Sequence, residues 1–183
     1  MIEHKPITLL EAGLENIKKS PSDNGMLYMI VARPFKSERA VPWYCNLSPE
    51  KGVEGDHWSQ GCWKSLPDGR PDPAVQVTIM NSRCLELLAP TKEQWAMAGD
   101  NLIVDLDLST DNLKPGQKIS IGSAILQITD VPHNGCIKFR DRFGPDALRF
   151  ISTKEGKELR LRGIYAQIIK AGEIRVGDRM KKI

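Results

Sequence analysis

The sequence predicts a mainly β fold with peripheral helices, an α+β protein whose largely antiparallel strands bend and close into a barrel. Three observations carry this expectation: many short segments alternating apolar and polar residues, Gly- and Pro-bearing turns between them, and few stretches with helical periodicity. Closure would remove the exposed strand edges that otherwise pair with other chains. A length of 183 residues suits one domain with a full hydrophobic core. The chain divides into a helical lead over residues 1–24, packing on a body over 25–181.

In the lead, Thr8 to Lys19 reads as a short amphipathic helix. Thr8-x-x-Glu11 has capping-box form, and Leu10, Leu14 and Ile17 share a face. The run Ser20-Pro21-Ser22-Asp23-Asn24-Gly25 ends it. Met26 to Ala32 is an apolar run that reads as a buried strand ending at Arg33-Pro34. Residues 35–73 are irregular in signal, and a loop of that length is often functional. Val75–Ile79 alternates as a strand, and Arg83–Ala89 reads as a helix stopped by Pro90. Strands follow at 102–108, 118–122 and 124–129, with Lys114-Pro115-Gly116-Gln117 as one turn between them. Residues 139–151 read as helical, with Gly144-Pro145 interrupting or restarting the helix. Strands at 163–169 and 173–177 finish the chain.

Composition is that of an ordinary globular chain, with 40% apolar and 27% charged residues. No apolar run approaches the roughly 20 residues that span a bilayer, and the N-terminus does not read as a secretory leader. These readings point to a cytoplasmic protein with no membrane partner. Net charge is +3 but unevenly spread. From Cys136 onward 13 Lys/Arg face 6 Asp/Glu, giving +7, whereas the preceding part carries 13 against 17, giving −4. That asymmetry points to an anionic ligand near the C-terminal third. Nucleic acid fits poorly, because the cations are not interleaved with stacking aromatics. Cys45, Cys62, Cys84 and Cys136 form no closely spaced pair, so reduced thiols are expected rather than disulfides or structural zinc.

Cys136 stands out by its neighbours, in the run Pro132-His133-Asn134-Gly135-Cys136-Ile137-Lys138-Phe139-Arg140-Asp141-Arg142. Nearby cations favour a thiolate, the form that acts as nucleophile or metal ligand, and the Asn-Gly turn would expose it. His133 is placed to orient the thiol or take its proton. Lys138 and Arg142 are candidates to hold an anion, and Arg140 falls on another face. Arg162, at a strand start, could grip phosphate bidentately. Asp56 and Asn101 sit in glycine-flanked loops that could converge on a pocket mouth. Cys136-x5-Arg142 has phosphatase spacing, but the intervening residues lack the small side chains that let amides wrap a phosphate.

Several stretches together resemble the MOSC domain, the module named for the C-terminal part of molybdenum-cofactor sulfurases. They are Gly52-Val53-Glu54-Gly55-Asp56, Gly99-Asp100-Asn101-Leu102, Asp105-Leu106-Asp107-Leu108, Pro132 to Phe139, Arg142-Phe143-Gly144 and Leu161-Arg162-Gly163-Ile164-Tyr165-Ala166, closed by Val176-Gly177-Asp178. The resemblance implies a strongly bent β-barrel and a pocket lined by Cys136. It implies a sulfur carrier or sulfurtransferase in molybdenum-cofactor chemistry, with Cys136 bearing a persulfide or ligating molybdenum. The alternative is a non-catalytic module that binds an anionic pterin cofactor (molybdopterin). Implied partners are a sulfur donor such as a cysteine desulfurase, and a molybdenum-cofactor or molybdoenzyme acceptor. Pyridoxal phosphate is expected only in that partner, since this chain is too short for a desulfurase domain.

Overall fold

The computed structural model describes residues 2–35 and 37–183. In chain order the elements are α1 (Ile7–Ala12), α2 (Leu14–Lys18), β1 (Gly25–Ile30), β2 (Tyr44–Ser48), β3 (Gly52–Val53), β4 (Val77–Asn81), α3 (Ser82–Leu88), α4 (Lys92–Trp95) and β5 (Leu102–Asp105). Then follow β6 (Lys118–Ile121), β7 (Ala124–Ile128), α5 (Ile137–Phe143), α6 (Pro145–Ser152), α7 (Lys154–Glu158), β8 (Ile164–Lys170), β9 (Gly172–Arg175) and β10 (Arg179–Lys182).

Seven strands close into a barrel in the order β1-β10-β6-β7-β8-β4-β5. Every neighbouring pair is antiparallel except β4 with β5, which run parallel, joined through α3 and α4. A three-stranded sheet, β3-β2-β9, stands beside the barrel. The expected fold class is therefore the one observed.

Two cores explain the sequence pattern. Alternate residues of a strand face opposite sides. Leu27, Ile79, Leu102, Val104, Leu126 and Ile164 point into the barrel. Met29, which follows a register shift in β1 after Leu27, points outward with Met80 and Ile103 into a second core with Leu10, Ile17, Cys84, Leu85, Phe139, Phe143 and Phe150 from the helices. Strand β4 is buried at all five positions because both faces are covered. By contrast β6 and β7 alternate in burial, as strands with one solvated face do.

Several local expectations differ in detail. The lead helix is two helices split at Gly13, where the Leu87 side chain occupies the space a Cβ would need. Thr8 caps nothing. The helix begins at Ile7 after Pro6, and the Asp146 carboxylate accepts from the Ile7 amide at 3.0 Å, so a distant side chain replaces the local cap. Residues 35–73 hold β2 and β3, whose Cys45, Leu47 and Val53 are buried. Strand β10 carries only Met180 into the core, between charged residues, and the short α4 and α7 were likewise not expected from the pattern. Gly144, at φ +96°, makes the expected break between α5 and α6.

Leu126 is wholly buried in the barrel core. Leu126→Ala should lower stability by about 2–5 kcal/mol, read from urea unfolding. Ile169→Ser on the outer side of β8, at a 40% exposed position, should change it by less than about 0.5 kcal/mol.

Candidate functional site

A cleft of about 900 Å³ lies against the outer side of the barrel wall, where it is lined by Thr78 of β4 and Tyr165 of β8, whose neighbours Ile79, Ile164 and Ala166 face the barrel core. Its walls come from the segment after β1, the residues around Trp58 and Trp63, the turn before β5, and the segment 132–142 leading into α5. Cys136, His133, Lys138, Arg142 and Arg162 all line it, so five of the seven residues singled out from sequence are brought together.

The other two, Asp56 and Asn101, lie beneath the cleft rather than on it. Asn101 is fully buried. Its Oδ1 accepts from the Thr78 amide at 3.1 Å and hydroxyl at 3.0 Å, and its Nδ2 donates to the Val31 carbonyl and to Asp56 Oδ2. Asp56 in turn accepts from Arg33 Nε at 2.7 Å and Nη2 at 3.1 Å, and from the amides of Arg33 and Trp58. Their oxygens are thus committed to the fold. What the pair presents to the cleft is the guanidinium of Arg33.

Arg33 is one of three arginines that meet at Gly99. Arg33 Nη1 donates to the Gly99 carbonyl at 3.1 Å. A Cβ at Gly99 would stand 3.2 Å from Arg39 Nη2 and 3.7 Å from Arg142 Nη1, and Gly99 has φ +82°. The left-handed backbone conformation favours glycine here, and a Cβ would crowd the tip of Arg39. Arg39 and Arg142 hydrogen-bond backbone carbonyls, those of Ala96, Glu38 and Met97, and among the described residues neither has a carboxylate partner. Burial, then repulsion from Arg142 and Arg33, pull the Arg39 pKa below its usual value. Arg33 is paired with Asp56, but Arg39 and Arg142 beside it have no carboxylate of their own among the described residues; like charges held together in this way favour an anion between them, and guanidinium forks match phosphate geometry.

The floor beside this cluster is a buried polar group. Arg162 Nη1 donates to Asp100 Oδ2 at 2.6 Å, with its guanidinium carbon 5.0 Å from the centre of the Phe139 ring. His133 Nδ1 stands 3.6 Å from Asp100 Oδ1, and its ring lies 4.4 Å from that of Tyr165. Asp100 Oδ1, His133 Nδ1 and Arg162 Nε are all buried with no hydrogen-bond partner. Burial, reinforced by the charges of Arg162 and Arg33, holds the His133 pKa well below its usual value, so the ring is neutral at neutral pH.

Cys136 is exposed, in extended conformation immediately before α5. Cys45 and Cys84 are buried, and burial pushes their thiols up to about 12. Cys62 is half-buried on the same cleft, its thiol donating to the Lys64 carbonyl at 2.7 Å. The five residues between Cys136 and Arg142 belong to α5, so they form a helical turn rather than a loop wrapping phosphate. Arg140 pairs with Asp141 and stays outside the cleft. Arg33, Arg39, Trp63 and Tyr165 were not anticipated. The one signal for Arg33 was a cation directly after a buried strand, and Arg39 lies in the stretch without periodicity.

A model of the MOSC domain family matches residues 76–181. Among solved structures, the chain is similar to the YUAD protein from Bacillus subtilis, with a TM-score of 0.64 at 17% identity over 87% of this chain and 95% of that one. It is also similar to YiiM from Escherichia coli (TM-score 0.54, 17% identity, 86% and 69% coverage) and YiiM from Geobacillus stearothermophilus (0.56, 15%, 87% and 75%). At these identities the likeness shows the fold. No curated protein matches the chain.

The Asp56–Arg33 pair carries a pH signature. Burial alone raises the Asp56 pKa, but the hydrogen bonds and charge of Arg33 outweigh it and hold the carboxyl below its usual value. A folded-state pKa below the unfolded one contributes stability above about pH 4, lost as pH falls through the folded value. Asp56→Asn should therefore lower stability at neutral pH by about 1.5–3 kcal/mol, as for a lost hydrogen bond to a charged group. Urea unfolding near neutral pH and in acid should show the deficit shrinking as pH drops below about 4.

Proposed function

Because the chain belongs to the MOSC domain family, we propose that it acts in molybdenum-cofactor chemistry, with Cys136 carrying transferable sulfur or ligating the metal of a bound pterin cofactor. The observation that carries this reading is the meeting of three arginines at Gly99 in the same cleft as an exposed thiol. A cationic seat beside a soft sulfur donor suits a ligand with an anionic phosphate at one end and a thiophilic centre at the other.

The donor set fits such a cofactor. Among the described residues no group of three or more His, Cys, Asp or Glu could hold a metal ion. The protein's own soft donor would be Cys136, and the remaining sulfur ligands would arrive with the pterin dithiolene. Arg39 and Arg142, with Arg33 behind them, would hold the phosphate, and Lys138 adds charge at the rim. Trp63 and Tyr165, with ring centres 6.3 Å apart, offer aromatic faces to a planar ring. When bound, the cofactor would supply redox chemistry that no side chain here offers.

In the sulfur-carrier form, the Cys136 thiolate attacks the terminal sulfur of a donor persulfide. A new S–S bond forms on Cys136, and the donor's S–S bond breaks with its electron pair leaving on the donor thiolate. A pyridoxal-phosphate cysteine desulfurase is the partner class that generates such a persulfide, and a molybdenum-cofactor or molybdoenzyme acceptor would receive the sulfur. A second reading, a non-catalytic binding module, is favoured by the separate origin of the seat: Arg33 and Arg39 come from outside the segment that carries Cys136.

Incubation with a cysteine desulfurase and cysteine should add one sulfur mass to the intact protein, and Cys136→Ser should abolish the gain; persistence of the gain in that variant would refute the carrier role. Titration with molybdopterin should show Arg39→Ala and Arg142→Ala each weakening binding about tenfold or more, since a charge-assisted hydrogen bond contributes about 1.5–3 kcal/mol. Retained affinity in Cys136→Ala, without sulfur transfer by the native chain, would favour the binding module.

A further inference from the structure

We propose that Asp100 fixes the tautomer of His133, placing the ring proton on Nδ1 and leaving Nε2 as a hydrogen-bond acceptor turned toward the cleft. Nothing in the sulfur chemistry above assigns Asp100 a role, and the inference holds whichever ligand the cleft receives.

The geometry leaves few other arrangements. Asp100 is fully buried, and Arg162 pins its Oδ2 at 2.6 Å. Its Oδ1 is consequently a fixed acceptor, and it has no donor. His133 Nδ1 stands 3.6 Å from that oxygen, itself buried and without a hydrogen-bond partner. A buried polar group left without a partner forfeits its hydrogen bonds to water with nothing in return. A shift of about half an ångström brings the two into the 2.7–3.2 Å range of an N–H···O bond and satisfies both at once. The Tyr165 ring, 4.4 Å away, supports the imidazole from the side.

A neutral imidazole has one donor nitrogen and one acceptor nitrogen. Burial and the nearby arginines keep this ring neutral. With the proton directed at the carboxylate, the lone pair falls on Nε2, and the ring lines the cleft. Asp100 itself feels opposing influences. Burial lifts its pKa above the usual carboxylate value, and the charge and hydrogen bond of Arg162 offset only part of that rise. Were Oδ1 protonated, it would donate to Nδ1 and the tautomer would reverse, so the tautomer also reports the charge on Asp100.

The consequence is selectivity. The arginines offer only donors, which suit the anionic end of a ligand. Nε2 adds one acceptor, so the cleft suits a ligand that also carries a polarised N–H, O–H or S–H. The lactam and amino groups of a pterin or purine-like ring have this chemistry. Asp100 would be a positioning residue, acting on the ligand through His133.

Long-range proton–nitrogen correlation spectra of ¹⁵N-labelled full-length protein decide this directly. The chain has three histidines, His4, His57 and His133, and the signals lost in His133→Asn assign the third. The expected result at neutral pH is a protonated Nδ1 and a pyridine-like Nε2 for His133, with Asp100→Asn moving the proton to Nε2. A wild-type His133 protonated on Nε2, or on both nitrogens, would overturn the proposal without recourse to any variant. An unchanged tautomer in folded Asp100→Asn would overturn the role of Asp100.

Discussion

The cleft depends on a buried hydrogen-bond network centred on Asn101. This one side chain ties the segment just after β1 through the Val31 carbonyl, the start of β4 through Thr78, and the residues around Trp58 through Asp56. Asp56 then fixes Arg33 by both carboxylate oxygens. Satisfied buried networks rigidify what they join, whereas an unmatched member costs more than an apolar substitute. The segments that form one wall of the cleft are thereby locked in register, and Arg33 is held where Arg39 and Arg142 must approach it. The charge concentration at Gly99 follows from that constraint.

The two-core architecture places the remaining parts. The outer core packs α5 and α6 against β4 and β5 through Phe139, Phe143 and Phe150. This anchors α5, with Cys136 just before its first turn. Phe139 also lies against the Arg162 guanidinium, so the face that buries the helix backs the polar floor of the cleft. Thiol, imidazole and arginine cluster are brought to one opening from segments as far apart in sequence as Arg33 and Arg162. The barrel itself supplies no reacting group. It sets the distances between groups carried by its connecting segments.

Much of this was readable from the chain, and the exceptions share a cause. Strands with one wet face alternate, so 118–122 and 124–129 were legible. Val75–Ile79 alternates in sequence, yet β4 is buried at every position because helices cover its outer side, and β10 offered a single apolar residue among charges. Cys136, Lys138 and Arg142 were visible because their signal is contiguous: cations within a helical turn or two of a thiol. Arg33 and Arg39 form their cluster only through tertiary contacts at a glycine more than fifty residues away, which no local pattern encodes. Asp56 and Asn101 show the converse. Their glycine-flanked setting resembles a pocket mouth, but their hydrogen-bonding capacity is consumed by the fold, and their influence reaches the cleft through a neighbour.

An anion seat and a sulfur-active thiol sharing one cavity are the core of the proposed function. Metal, pterin and intact-mass analysis of the protein isolated under non-reducing conditions from its native cell tests this most directly. The account predicts either molybdenum with a phosphorylated pterin, or one extra sulfur localised to the peptide containing Cys136. A homogeneous preparation with an unmodified Cys136 thiol and neither molybdenum nor pterin would contradict it.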